Sequence, residues 1–181
     1  NGVSDDLLIT AHAAMLAGRH FNQQASNLAK QGYMGAYPSS LGQEACQVAA
    51  ALALEPADWL FPTYRDSVAV MSRGIDLTEV LSPFHGSSHC GYAPTKTHTA
   101  PEATPLATHT AHAVGLAMAA KFAGDSTVAL AMCGDGSTSE GDFHEALNLA
   151  AVFEAPVVFL VQNNGYAIST PVSRQMRAAS I

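Results

Sequence analysis

Two short apolar runs, Val128–Met132 and Val157–Val161, flank a stretch in which Phe143, Ala146, Leu147, Ala150 and Ala151 recur at helical spacing. Continuous apolar runs of this length are the mark of strands buried on both faces of a parallel sheet. Apolar positions three and four apart mark one face of a helix. The pattern therefore predicts strand, helix, strand, with Ala155-Pro156 breaking the helix. The first strand runs into Gly134-Asp135-Gly136 and the second into Asn163-Asn164-Gly165, a turn sequence. Ser137 and Glu140 have capping-box spacing, which predicts that the helix starts there.

Upstream the periodicity is helical. It predicts helices over 5–31, ended by Gly32; over 43–54, stopped near Pro56; over 67–73, ended by Gly74; and over about 107–122. Asp76 with Glu79 predicts another helix start. Residues 82–105, rich in Gly, Pro, Thr and His, read as one long loop, and loops of that length are usually functional or mobile. The order predicts an α/β protein with a parallel sheet flanked by helices, and one domain over residues 1–181. No internal repeat or low-complexity tract breaks it.

The strand–helix–strand unit carries the candidate chemistry. It sets an acid and an amide at the carboxyl ends of two parallel strands, the edge at which open α/β sheets bind ligands. Asp135 and Asn164 offer hard oxygen donors, suited to Mg²⁺ holding phosphates. Gly134 and Gly136 lack a Cβ, so the backbone can turn and approach an anion closely. Asp-Gly or Asn-Asn-Gly alone is an ordinary turn; the combination at this separation is what points to a metal–diphosphate site.

Net charge is −7, which argues against a general affinity for nucleic acid or anionic membrane. No apolar run approaches the roughly 18–20 residues of a membrane helix, and the start shows no signal-peptide pattern. Cys46, Cys90 and Cys133 are odd in number and widely spaced, as expected of free thiols in a reducing compartment, with Cys133 a buried small hydrophobe.

The segment from Gly134 to Asn164 resembles the thiamine-diphosphate signature, which begins Gly-Asp-Gly and ends Asn-Asn. More narrowly, GDGSTSEGDFHEALNLAA and VQNNGYAIST resemble the alpha subunit of the decarboxylating component of 2-oxo acid dehydrogenase complexes. YPSSLGQEACQVAAAL, LFPTYRDS and TPLATHTAHAVGLAMAAK follow in that family's order, and the resemblance covers nearly the whole chain. It implies the thiamine-diphosphate-binding fold, truncated here. It implies Mg²⁺ held by the side chains of Asp135 and Asn164 and the backbone carbonyl of Tyr166, with Mg–O about 2.0–2.1 Å. Gly134, Gly136 and Ser137 match the backbone against the diphosphate; Tyr64 and Arg65 match residues that hydrogen-bond it, and an Arg fork suits phosphate geometry. Leu106 and Ile168 match apolar residues lining the cofactor, Ile168 being the bulky one that keeps it bent.

The resemblance further implies oxidative decarboxylation of a 2-oxo acid and acyl transfer to a lipoyl group of the acyltransferase core. NNGYAIST favours branched-chain acids, with pyruvate next. The expected partners are a beta subunit, which brings the activating glutamate and completes an alpha2beta2 assembly, and the lipoylated core. The expected setting is the cytoplasm, or the mitochondrial matrix in a eukaryote. No catalytic residue is assigned in this chain. Alpha subunits of the family continue well beyond the position of Ile181, and no residue here matches their catalytic His. The chain is thus expected to be a fragment, or a piece of a longer chain, inactive alone and a poor binder of cofactor.

Several histidines stay outside this scheme. His85, His89, Cys90 and His98 share the long loop and make a zinc-binding module an alternative, although their spacing fits no familiar ligand set. A non-catalytic assembly module built on the alanine-rich helices is the other alternative. His109 stands where much of the family has Gln, His112 is expected on a helix surface, and His144 is expected to face solvent or a partner.

Overall fold

The computed structural model describes residues 2–178 and 180–181. They group into two compact units, one made of residues 1–55 and 64–102, the other of 56–63 and 103–181.

The first unit is helical: α1 (Asp5–Lys30), α2 (Glu44–Leu52), α3 (Ser67–Ser72), α4 (Leu77–Leu81) and α5 (Pro94–Thr97). Ser4 caps α1 by accepting from the Leu7 amide at 3.3 Å. Asp5 and Asp6 in its first turn and Lys30 in its last complement the helix dipole. Asp76 caps α4, as its spacing predicts, by accepting from Thr78 N at 2.9 Å. Residues 82–105 are not one loop: a 3-10 turn, Ser82–His85, and α5 interrupt them. Each carries a proline in its first turn, Pro83 second in the 3-10 turn and Pro94 first in α5, whose fixed φ favours a helical start. Phe21, Val70, Ile75, Val80 and Tyr92 form the core, with Tyr37, Met71, Leu81 and Cys90 packed against it.

This unit also has a polar interior. Asn22 on α1 is fully buried and holds segment 37–40. Its Nδ2 donates to Gly18 O and Ser40 Oγ, both at 3.0 Å, and its Oδ1 accepts from Tyr37 Oη and Ser40 N, both at 2.9 Å. Every capacity of the amide is used, which is what keeps a buried Asn from being a liability. Glu102 is less well served. Ser67 Oγ donates to its Oε1 at 2.9 Å, but Oε2 is buried with no hydrogen-bond partner among the described residues. Burial, reinforced by the nearby Asp66, pushes its pKa up to about 8 against the pull of Ser67.

The second unit holds the sheet: β1 (Trp59–Phe61), β2 (Ala129–Gly134) and β3 (Val157–Gln162), parallel and in the order β1-β2-β3. Helices α6 (Thr108–Ala123) and α7 (Gly141–Phe153) flank it, and a hairpin of β4 (Tyr166–Ala167) and β5 (Thr170–Pro171) leads into α8 (Val172–Gln175). Strand β2 is buried along nearly its whole length, as its apolar run predicts; β3 is only half-buried, with Val158 53% exposed. Cys133 of β2 and Phe159 and Val161 of β3 pack with Phe143 of α7 and with Ala107. Strand β1 was not expected, because three residues between Asp58 and Pro62 are too few to show a period.

Two details of the strand–helix–strand unit differ from expectation. Ser137 does not cap the helix: residues Asp135–Ser139 form a 3-10 turn, and α7 starts at Gly141 without a side-chain cap. The apolar face of α7 is only partly covered, Phe143 and Ala146 being buried while Leu147 and Ala151 are exposed.

Gly91 has φ +88°, and a Cβ there would lie 2.1 Å from Glu79 O. Gly91→Ala should therefore cost at least about 2 kcal/mol, read as a lower urea midpoint with unchanged slope. Gly86→Ala, at φ +93° but in open space, should cost about 1 kcal/mol. For Glu102, the folded pKa lies above the unfolded value. Its burial therefore adds no pH-dependent cost below about pH 4.5, where both states are protonated, and unfolding releases a proton between there and about pH 8. Stability should fall across that window by about 1 kcal/mol per pH unit. Glu102→Gln should flatten that slope in denaturation measured from pH 5 to 9.

Candidate active site

The register of β2 against β3 fixes the site. Gly134 pairs with Gln162, so Asp135 and Asn164 lie one and two residues past a common end of neighbouring strands. Parallel strands run about 4.8 Å apart, and both turns therefore sit on the same edge of the sheet. Asp135 is 1% exposed. Beyond β3 the two asparagines fold the chain onto itself: Asn163 Oδ1 accepts from Gly165 N at 2.9 Å, and Asn164 Oδ1 from Tyr166 N at 3.0 Å. These are the side-chain turns that the Asn-Asn-Gly sequence predicts. Tyr166 pairs with Pro171 across the hairpin. Pro171 has no N–H, so it gives the Tyr166 carbonyl no hydrogen bond; the hairpin closes instead from Val172 N to Gly165 O at 2.9 Å.

The glycines have unequal roles. Gly134 has φ −88° and open space where a Cβ would stand, so nothing in its conformation requires glycine. Gly136 is needed for close approach: a Cβ there would lie 2.9 Å from Ala167 Cβ and 3.8 Å from Leu106 Cδ1. Gly136 thus brings the turn after β2 against the hairpin and the segment entering α6. Ser137 beside it is fully buried, and its hydroxyl has no hydrogen-bond partner among the described residues. A buried, unanswered hydroxyl costs about 1–3 kcal/mol, and its presence at this turn is what a site awaiting a polar group looks like. Asp135 and Asn164 offer oxygen ligands at this edge, which suit a hard cation rather than a soft one. On these two observations the residues fit Mg²⁺ and a phosphate group.

The other expected site residues are placed as follows. Leu106 is 37% exposed next to Gly136, and Ile168 is fully exposed at the tip of the hairpin with φ +55°. A β-branched residue there is strained. Tyr64 and Arg65 belong to the other unit. There the Arg65 guanidinium lies 5.6 Å from the Tyr64 ring centroid, its Nη1 donates to Ser39 O at 2.8 Å, and its carbonyl accepts from Gln47 Nε2 at 3.0 Å.

Among the described residues no group of three or more His, Cys, Asp or Glu could hold a metal ion, so the His-rich segment forms no zinc cluster there. His89 Nδ1 accepts from Gly91 N at 3.1 Å and Cys90 Sγ donates to Tyr92 O at 3.2 Å; both serve the local chain path. His109 is buried, with Nε2 2.6 Å from Met132 O, which makes that nitrogen a donor and ties α6 to β2. His144 is exposed and bonds Thr138 O at 2.8 Å. One contact had no sequence signal: Gln175 Nε2 donates to Asp135 Oδ2 at 3.3 Å across forty residues.

A three-stranded parallel sheet with an acid and an amide at its carboxyl edge defines an α/β protein, and open sheets of this class bind ligands where their strands end. Residues 12–181 match the family model described as the dehydrogenase E1 component, and the chain belongs to that family. It is 46% identical over 177 residues to 3-methyl-2-oxobutanoate dehydrogenase subunit alpha of Mycobacterium tuberculosis strain H37Rv, covering 98% of this chain and 48% of that protein. It is 36% identical over 179 residues to pyruvate dehydrogenase E1 component subunit alpha of Staphylococcus aureus strain Mu50, covering 99% and 48%. The chain thus spans about half the length of these curated relatives.

Gly136→Ala should push the hairpin off the strand-end turn and cost about 1–3 kcal/mol, read as a lower urea midpoint. Adding Ala167→Gly, which removes the atom the new methyl meets, should restore part of the loss.

Proposed function

We propose that residues 1–181 belong to the thiamine-diphosphate-binding domain of the alpha subunit of a 2-oxo acid dehydrogenase. The single observation that supports this best is the β2–β3 register, which sets Asp135 and the Asn164 turn on one sheet edge. Asp135 and Asn164 would hold Mg²⁺ through side-chain oxygens, with Tyr166 adding its carbonyl. Gly134, Gly136 and Ser137 would border the diphosphate, the Ser137 hydroxyl finding there the partner it lacks within the chain. Tyr64 and Arg65 are proposed to hydrogen-bond the diphosphate, and Leu106 and Ile168 to line the cofactor. Thiamine diphosphate, when bound, supplies the nucleophilic carbon and the electron sink for loss of CO₂.

This chain's part is then binding and orientation. Asp135 offers its charge at a fixed, buried point. The hairpin sets Ile168 beside that edge, and Gly136 lets the backbone come close without a side chain intervening. Such positioning is worth more in an enclosed site than in water. The reaction proposed is oxidative decarboxylation with acyl transfer to a lipoyl group. It requires a beta subunit, in an alpha2beta2 assembly, and the acyltransferase core as acceptor. The identity to the M. tuberculosis relative supports a branched-chain 2-oxo acid as substrate ahead of pyruvate.

Calorimetry on the full-length chain assembled with its beta subunit tests this. Thiamine diphosphate should bind only with Mg²⁺, and Asp135→Ala and Asn164→Ala should each weaken that binding by at least about tenfold. Binding untouched by Asp135→Ala would mean that the signature serves assembly alone. The substrate assignment is checked by kcat/KM, which should be higher for 3-methyl-2-oxobutanoate than for pyruvate.

A further inference from the structure

Asp135 does not hold its position unaided. One carboxylate oxygen, Oδ2, accepts from Gln175 Nε2 at 3.3 Å, and the same nitrogen donates to Thr170 O at 3.0 Å. The amide oxygen accepts from Ser139 Oγ at 3.4 Å. This uses both protons of the amide nitrogen and one lone pair of its oxygen. It also fixes which way the amide points. Flipped by 180°, Gln175 would set its oxygen against a carboxylate and a carbonyl, two acceptor–acceptor contacts, and would leave the Ser139 hydroxyl facing an N–H₂ group.

The three segments that meet at Gln175 are those that build the sheet-edge site. Asp135 and Ser139 open and close the 3-10 turn after β2. Thr170 pairs with Ala167 on the hairpin that carries Tyr166. Gln175 itself ends α8. One neutral side chain therefore ties the carboxylate to β5, the strand paired with the one that bears the Tyr166 carbonyl. Neutrality matters here. A Lys or Arg at this place would cancel the carboxylate's charge, whereas an amide restrains it and leaves the full negative charge for a cation.

We propose that Gln175 is a positioning residue: it aims the Asp135 carboxylate and locks it to the Tyr166 hairpin, so that a divalent cation meets a preset pair of oxygens. This inference rests on the metal reading of Asp135 given above. Its effect should appear in the cation's affinity, since outer hydrogen-bond partners of metal ligands are typically worth 10- to 100-fold.

The test uses the full-length chain assembled with its beta subunit, titrated with Mg²⁺ at a fixed concentration of thiamine diphosphate. Gln175→Met keeps the side chain's length and removes both donors. It should raise the Mg²⁺ midpoint about tenfold, while the melting temperature without Mg²⁺ and the thiamine diphosphate affinity at saturating Mg²⁺ stay as in the wild type. Ser139→Ala, which loosens only the amide's oxygen anchor on an exposed hydroxyl, should shift the midpoint in the same direction by less. An unchanged midpoint in both variants would overturn the proposal. So would a lowered one, which would make the amide a competitor of the cation, or a melting temperature that falls with the affinity, which would make the role one of packing. Asp135→Ala run alongside separates the two levels: if it leaves the midpoint unchanged, the metal reading itself fails and this inference with it.

Discussion

The parallel pairing of β2 with β3 is the constraint on which the site depends. Six consecutive residue pairs, from Ala129 with Val157 to Gly134 with Gln162, hold the two strands in one register. Side chains alternate along a strand, so a slip of one residue would turn every apolar side chain to the opposite face. It would bury what is now exposed on β3 and expose the Cys133 and Phe159 contacts beneath α7. The same pairing fixes how far past the common end Asp135 and Asn164 lie. Packing of the sheet and assembly of the edge chemistry are thus one requirement: whatever keeps Cys133 and Val161 side by side also keeps the acid near the amide turn.

Buried polar groups in the two units range from fully answered to unanswered. In the helical unit Asn22 spends its whole amide on Gly18 and segment 37–40, and Gln47 donates to the Arg65 carbonyl while its own Oε1 stays buried without a partner among the described residues. In the sheet unit the Ser137 hydroxyl, just past the end of β2, is buried and unanswered among the described residues. Buried groups without partners are rare in folded proteins. One such group, at the edge where parallel sheets bind ligands, differs from the closed network around Asn22. Glu102 stands between the two cases. One of its oxygens is satisfied by Ser67 and the other is not, and the carboxyl responds by holding its proton to about pH 8.

The sequence made the elements with strong periods legible. The long α1, the strand β2, the helix α6 and the cap at Asp76 lie close to where apolar spacing and capping chemistry place them. Shorter elements were not legible, because three residues of β1 or two of β4 contain no repeat to detect. The Ser137–Glu140 spacing misled for a physical reason: the chain tightens into a 3-10 turn after β2, and the serine is turned inward before the α-helix begins. Of the site, the Asp135 and Asn164 turns were readable because both follow directly from strand ends. The Gln175 contact was not, since an amide forty residues away along the chain reaches Asp135 only through the fold of the hairpin and α8. Gly134 was given a conformational role that its backbone does not need, and the need falls on Gly136 alone.

Ile168 stands in left-handed backbone with its whole side chain in water, an arrangement that costs of order 1–3 kcal/mol and gains nothing from burial within this chain. Glycine or asparagine would fit the same turn with less strain. A laboratory population selected only for resistance to heat would therefore drift toward those residues at this position. One selected for turnover would hold the isoleucine if it lines the cofactor as proposed, and the two lineages would then part at a single codon.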